Sequence, residues 1–342
     1  MISWLTNEIL TNDNNLLSLT RSAVNCTEND DIKSAANCTK FSSAINCTEN
    51  SVSKYIHAAV ADNTRKGYKS DLAHFLNWGG SIPSTPEIIS QYLAAYAELL
   101  APATLGRRIV AIGRAHTSRG IDSPTKSDLV KATIKGIKRT LGTKQRQVAP
   151  VLKSDLINMV NGLKGIKGLR DKALLLIGFA GAFRRSELVE LLVSDVEFVE
   201  KGLVINLRRS KTDQEAEGRK IAIPFARGSV CAVLALKNWL EVAAIDSGAI
   251  FRAVSRHGFV EECALSPQSV ALIVKERALA VGLDANKFSG HSLRAGLVTS
   301  AAQAGVSAWK IRAQTGHKSE AMLNRYIRDA NIFVDNAAGA VL

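Results

Sequence analysis

The 342-residue sequence predicts a mainly α-helical protein with two folded domains. The first is an N-terminal helical bundle, and the second a C-terminal α+β domain carrying a small antiparallel sheet. Three observations predict this. The length suits two domains of roughly 150 residues, and 46% apolar residues is ordinary for packed cores. Apolar residues recur with a helical period almost everywhere from residue 51 onward. Only one pair of β-rich runs, Leu203–Leu207 and Lys220–Pro224, interrupts that period.

Residues 1–50 stand apart. They hold 21 Asn, Ser or Thr and an imperfect repeat at Ser22–Thr27, Ser34–Thr39 and Ser43–Thr48, spaced too irregularly for a solenoid. The stretch reads as a polar, mobile extension, with an oligomerisation or partner segment as the other reading. Each repeat contains an Asn-Cys-Thr sequon. The N-terminus lacks a basic region and reaches Glu8 early, so no secretory signal is expected and the sequons are by-products of the repeat.

The bundle is expected over 51–142. Its first helix spans Asn63–Trp78, with Thr64 as N-cap, Tyr68, Leu72, Phe75 and Leu76 on one face, and Gly79-Gly80 as the stop. A second runs from Pro86 to Leu100. A third follows Pro102 and carries Arg107, Arg108 and Arg114. In the fourth, Asp128–Leu141, the stripe Val130, Ile134, Ile137 and Leu141 is flanked by Lys131, Lys135, Lys138 and Arg139, and Gly142 ends it. Residues 143–152, with Pro150, read as a linker.

The second domain is expected over 153–330. The apolar run Ala173–Phe183 falls short of the ~20 residues that span a bilayer and reads as a buried core helix. The two β-rich runs form a hairpin whose long polar tip is Arg208–Arg219. Helices are predicted at about 228–244, 267–281, 291–304, 307–315 and 319–329, with Gly305 and Gly316 at two helix ends. Residues 331–342 form an apolar tail.

Charge narrows the function classes. Lys and Arg number 44 against 31 Asp and Glu, a net +13 that favours a polyanion, nucleic acid before a membrane surface. The excess is uneven: net −3 over residues 1–50, +9 over 51–150 and +7 beyond. After Asp128 no acid occurs until Asp155, while Lys144 and Arg146 extend the basic run, which favours a phosphate backbone over a solvated cationic face. Five scattered cysteines without a Cys-x-x-Cys argue against disulfides and zinc, and a reducing cytosol is the expected compartment. No P-loop and no His-Glu-x-x-His occurs, so no cofactor or metal is expected.

A phosphodiester substrate sets the chemistry to look for. Its transition state concentrates charge on non-bridging oxygens, which fixed cations stabilise, Arg best because its planar fork meets two oxygens. A nucleophile, a base and an acid complete the set. Arg184, Lys211, His291, Arg294, His317 and Tyr326 are candidates on separate elements. Singly each has an ordinary reading: a core histidine at 291 or 317, a solvated hairpin lysine at 211, a helix-capping arginine at 184, a packing tyrosine at 326. His116–Arg119 repeats the His-x-x-Arg spacing of His291–Arg294, so that spacing alone decides nothing.

In order, however, Gly181-Ala-Phe-Arg-Arg-Ser-Glu-Leu188, Ser210-Lys-Thr212, Gly290-His-Ser-Leu-Arg-Ala-Gly296, Thr315-Gly-His317 and Tyr326 closely resemble the tyrosine recombinase (phage integrase) family. The resemblance covers nearly everything from residue 51, including Thr64-x-x-x-Tyr68 and Phe75-Leu-Asn-Trp78. The organisation is most similar to the compact Cre-type recombinases, with His at 317 where Cre has Trp. The resemblance implies a SAM-like core-binding bundle and a catalytic domain. It makes Arg184 and Arg294 the phosphate clamp, Glu187 the brace of Arg184, Lys211 the acid for the departing 5′-oxygen and His291 the proton handler. It also makes His317 a donor to a non-bridging oxygen and Tyr326 the nucleophile, whose ordinary pKa near 10 calls for this cationic surround. Arg185 falls in the variable slot, as a surface or phosphate contact. Arg65, Lys69, Arg107, Arg108, Arg114, Lys131, Lys135, Lys138, Arg139, Lys144 and Arg146 are expected to contact DNA.

The implied activity is site-specific strand exchange through a 3′-phosphotyrosyl link and a Holliday junction. The implied partners are double-stranded DNA with inverted-repeat half-sites and a homotetramer on two paired sites, with no membrane. Ile332, Phe333, Val334, Val341 and Leu342 then dock on a neighbouring protomer or pack on their own domain. A type IB topoisomerase and a catalytically silent DNA-binding protein remain the alternatives.

Overall fold

The computed structural model of the chain describes residues 54–55, 58–143, 147–208, 218–226 and 230–317. The extension at 1–50, the expected helix at 319–329 and the tail at 331–342 lie outside them. The chain forms two compact units, 1–146 and 147–342.

In the first unit four helices follow one another: α1 (Asp62–Asn77), α2 (Pro86–Ala95), α3 (Pro102–Thr117) and α4 (Asp128–Leu141). Their apolar stripes converge on Leu72, Phe75, Ile89, Tyr92, Leu93, Leu105, Ile112 and Val130. Helix α1 begins one residue before its expected start. Ala61 takes the cap position and Asp62 pairs with Arg65 inside the first turn, so Thr64 is not the cap. Caps do form where Ser or Thr precedes the helix: Thr85 accepts from Ile88 N and Ser127 from Val130 N. His116, whose spacing to Arg119 mimics the candidate motif, is a packed core residue. Its Nδ1 lies 2.8 Å from Ile112 O, and its Nε2 accepts from Ser84 N at 2.9 Å.

The second unit contains α5 (Lys153–Val160), α6 (Gly165–Ala180), α7 (Arg185–Val189), β1 (Val196–Val199), β2 (Gly202–Leu207) and β3 (Arg219–Pro224). It continues with α8 (Ala232–Val242), β4 (Arg252–Val254), β5 (Val260–Ala264), α9 (Pro267–Ala280), α10 (Ser292–Gln303) and α11 (Ala308–Thr315). Helix α6 is the core helix that its apolar run predicts, with Ala173, Leu174, Leu175 and Ile177 fully buried. Among the described residues no helix is long and apolar enough to cross a membrane. Buried Asp171 accepts from both Arg170 and Arg277, which ties α6 to α9.

The sheet is larger than one hairpin. Strand β1 adds to the antiparallel β2–β3 pair, in the order β1-β2-β3, and β4 pairs with β5 in a second sheet. These three strands escape sequence reading because they are short and largely solvent-facing: β1 and β5 carry Glu197, Glu261 and Glu262, so neither shows an apolar alternation. Half of the expected linker also belongs to the second unit. Val151 is buried and its N donates to Ser292 O at 3.0 Å, while Ala149 N donates to Lys287 O. Gly296 has no room for a Cβ because the Val151 carbonyl lies against it.

Candidate active site

The site is assembled at the ends of elements in the second unit. Helix α6 stops at Gly181, and the chain turns through Ala182, a non-glycine residue at φ 50. That left-handed turn costs an alanine roughly 1 kcal/mol or more. It directs the Ala182 carbonyl at Arg294, whose Nη1 donates to it at 2.7 Å. Arg294 lies on α10 and is 1% exposed. A cation so enclosed is held for electrostatic work.

Arg184 caps α7. Its backbone N donates to Glu187 Oε2 at 2.9 Å and its Nη1 to Oε1 at 2.5 Å. Glu187 is buried, so one carboxylate fixes both the turn and the guanidinium of Arg184. His291 starts α10 from a pinned turn, in which its N donates to Ser289 Oγ and Ser289 N to Ser292 Oγ. Burial pushes the His291 imidazole below its ordinary pKa, and Arg294, Arg184 and Arg185 add to the shift. His317 follows α11. Burial, then Arg294, Arg184, His291 and Arg219, lower it to about 3, so it is a neutral imidazole at physiological pH.

Arg184, Glu187, His291, Arg294 and His317 are thus brought together. Lys211 and Tyr326 lie outside the described residues, as do Lys144 and Arg146. Arg185 is exposed, its stem packed so closely on Gly290 that a Cβ there would overlap it.

One member of the site was not anticipated. Arg219, on β3, faces inward beside Arg184 and Glu187, is shifted down by burial, and donates from Nη1 to Gln314 O at 3.0 Å. A signal for it existed. Arg219, Ile221 and Ile223 alternate along β3, and the two isoleucines are buried, so period two puts this cation on the core face. Its guanidinium lies against Gly316, a left-handed residue that closes α11. Gln314 Nε2 in turn donates to Ala180 O and Ala222 O, so the turn carrying His317 is tied to α6 and to β3.

Arg184, Arg219 and Arg294 gather about His317, with Glu187 facing the first two and His291 beside them, a concentration of positive charge that suits an oxyanion. A profile of the phage integrase family matches residues 152–331, more than half of the chain. The chain belongs to the phage integrase family. An integrase/recombinase XerD homologue of Selenomonas ruminantium is 43% identical over 293 residues, covering 82% of this chain and 86% of that one. Like its family, the chain is a tyrosine-type site-specific recombinase. The fold agrees with two solved structures. A lambda integrase dimer bound to a COC′ core site has a TM-score of 0.57 at 18% identity, covering 82% of this chain and 76% of that one. A lambda integrase tetramer bound to a Holliday junction has a TM-score of 0.55 at 19% identity, covering 79% of this chain and 73% of that one.

The recombinase's first unit sorts the expected DNA contacts. On α4, Lys131, Lys135, Lys138 and Arg139 are all exposed. Arg114 is exposed and stacks on Tyr68 at 5.2 Å. Lys69 is exposed and Arg65 pairs with Asp62. Arg107 grips buried Asp71 through two bonds of 2.6 and 2.9 Å. Arg108 departs from the expectation of a DNA contact. It is 8% exposed, its Nη1 donates to the hydroxyl of buried Tyr92 at 2.9 Å, and it lies 3.7 Å from the Asp71 carboxylate. Its side chain is a buried strut of the bundle, because the i, i+3, i+4 face of α3 that holds Leu105 and Ile112 also holds position 108.

Proposed function

We propose that this recombinase cuts DNA by attack of Tyr326 on a phosphodiester, forming a 3′-phosphotyrosyl link, and exchanges strands between two sites through a Holliday junction. The observation that carries this reading is the gathering of enclosed Arg294 and braced Arg184 about His317, with His291 and His317 neutral beside them. Cations preorganised in a water-poor site stabilise the charge that develops on the non-bridging oxygens. Lys211, which in the sequence falls between β2 and β3, protonates the departing 5′-oxygen. The phosphotyrosyl bond retains the energy of the phosphodiester, so the 5′-hydroxyl of the partner strand reverses the step. The exposed basic face of α4, with the linker cations Lys144 and Arg146, holds the duplex backbone.

The substrate in this reading is double-stranded DNA with two inverted half-sites, and the working assembly is a homotetramer on two paired sites. The lambda integrase dimer and tetramer complexes support that assembly by analogy of fold. Such an enzyme works where its DNA lies, in the cytoplasm of a bacterial cell.

A nicked suicide substrate tests the chemistry. The wild-type protein forms a covalent protein–DNA adduct, and Tyr326→Phe forms none. Absence of the adduct in the wild type would sink the reading and leave a silent DNA-binding protein. Relaxation of supercoiled plasmid without exchange between paired sites would point instead to a topoisomerase.

A further inference from the structure

Thr315, which ends α11, is completely buried, and its hydroxyl oxygen lies 2.7 Å from Nδ1 of His317. A hydroxyl has one proton to give. The other acceptor in reach is the Arg312 carbonyl at 3.4 Å, which already receives Gly316 N at 2.7 Å. The short contact therefore takes the proton. We infer that Thr315 is a positioning residue that donates to His317 Nδ1 and so fixes the ring as the Nε2–H tautomer, a neutral donor toward an anion in the site.

The surroundings make the tautomer matter. Around His317 stand Arg294 from α10, Arg184 at the start of α7, Arg219 from β3 and His291, while Glu187 faces Arg184 and Arg219. Arg312 Nε holds the His317 carbonyl at 3.0 Å. In a cation-rich enclosure the imidazole stays neutral, and a neutral ring donates from only one nitrogen. With the proton on Nδ1 the ring would turn a lone pair toward a bound phosphate and repel it. That the anion is the scissile phosphate rests on the proposed function; the tautomer itself does not.

The test uses the full-length protein labelled with 15N-histidine. Long-range 1H–15N spectra at neutral pH, with the His317 signals assigned by their loss in His317→Gln, are expected to show the Nε2–H pattern. An Nδ1–H pattern in the wild type overturns the inference. Thr315→Val removes the hydroxyl at nearly constant shape, and Thr315→Ser keeps it. The Val variant is expected to lose the Nε2–H preference and about 100-fold in suicide-substrate cleavage rate, the usual cost of one oxyanion donor, at unchanged DNA affinity. The Ser variant restores both. An Nε2–H pattern that persists in a folded Val variant also overturns the role of Thr315. If the Val variant does not fold, the wild-type and Ser spectra still decide. A wild-type protein that shows the Nε2–H pattern yet forms no adduct defeats the recombination chemistry and leaves the assignment standing.

Discussion

At the scale of single residues, burial separates two uses of the same side chain. Arg294 and Arg108 are both enclosed. Arg108 meets Asp71 and the Tyr92 hydroxyl, whereas Arg294 donates to the Ala182 carbonyl and stands near two further arginines. A buried cation paired with a carboxylate supports a fold, whereas cations gathered on one spot strengthen the positive field there. The same crowding sets a pH dependence. His317 has a folded pKa of about 3 against an ordinary 6.5, so between those values the unfolded chain binds a proton that the native chain does not. Stability therefore falls as pH drops through that window. His291, shifted down by burial and by Arg294, Arg184 and Arg185, acts with the same sign. His317→Gln cannot take that proton, so the loss of melting temperature from pH 7 to pH 4.5 is expected to be smaller in the variant. Equal losses in both proteins, followed by calorimetry, would show that His317 is not held neutral.

At the scale of elements, α3 and α4 divide the basic charge of the first unit between structure and surface. Helix α4 buries only Val130 completely and leaves Lys135 and Lys138 in solvent, but α3 turns Arg108 into the core. Replacing both Lys135 and Lys138 with Ala is expected to leave the melting temperature unchanged. It should reduce the slope of log affinity against log salt by about 2, since each lost phosphate contact removes roughly 0.9. Arg108→Ala should do the reverse, costing about 2 kcal/mol of stability by removing the donor to the buried Tyr92 hydroxyl while Arg107 keeps Asp71 paired and the salt slope holds. Titration of DNA binding over a salt series, beside denaturant melts, separates the two outcomes. The apolar period of both helices was legible in the sequence because it repeats within a single element. The inward turn of Arg108 was not, since its partners Asp71 and Tyr92 come from α1 and α2.

At the scale of the whole molecule, exchange between two DNA sites requires that protomers be coupled, and the apolar residues Ile332, Phe333, Val334, Val341 and Leu342 are the segment that we propose couples them. Deleting residues 331–342 is expected to abolish recombination of paired sites while affinity for one site stays within about threefold. Unchanged recombination in a plasmid assay would remove the tail from the mechanism. The two-unit organisation, the helical class and the order of Arg184, Lys211, His291, Arg294, His317 and Tyr326 were all determined by the sequence alone. Periodicity and spacing are local properties, and a set of six such residues in one order is too specific to arise by accident. What only the tertiary structure decided is how four separate elements meet: the Ala182 carbonyl on Arg294, Arg219 beneath Gly316, and the Thr315 hydroxyl on His317. These contacts depend on distances across the fold and on which face of each element is buried, and the donor–acceptor pairing that sets the charge of His317 exists only once those elements have closed around it.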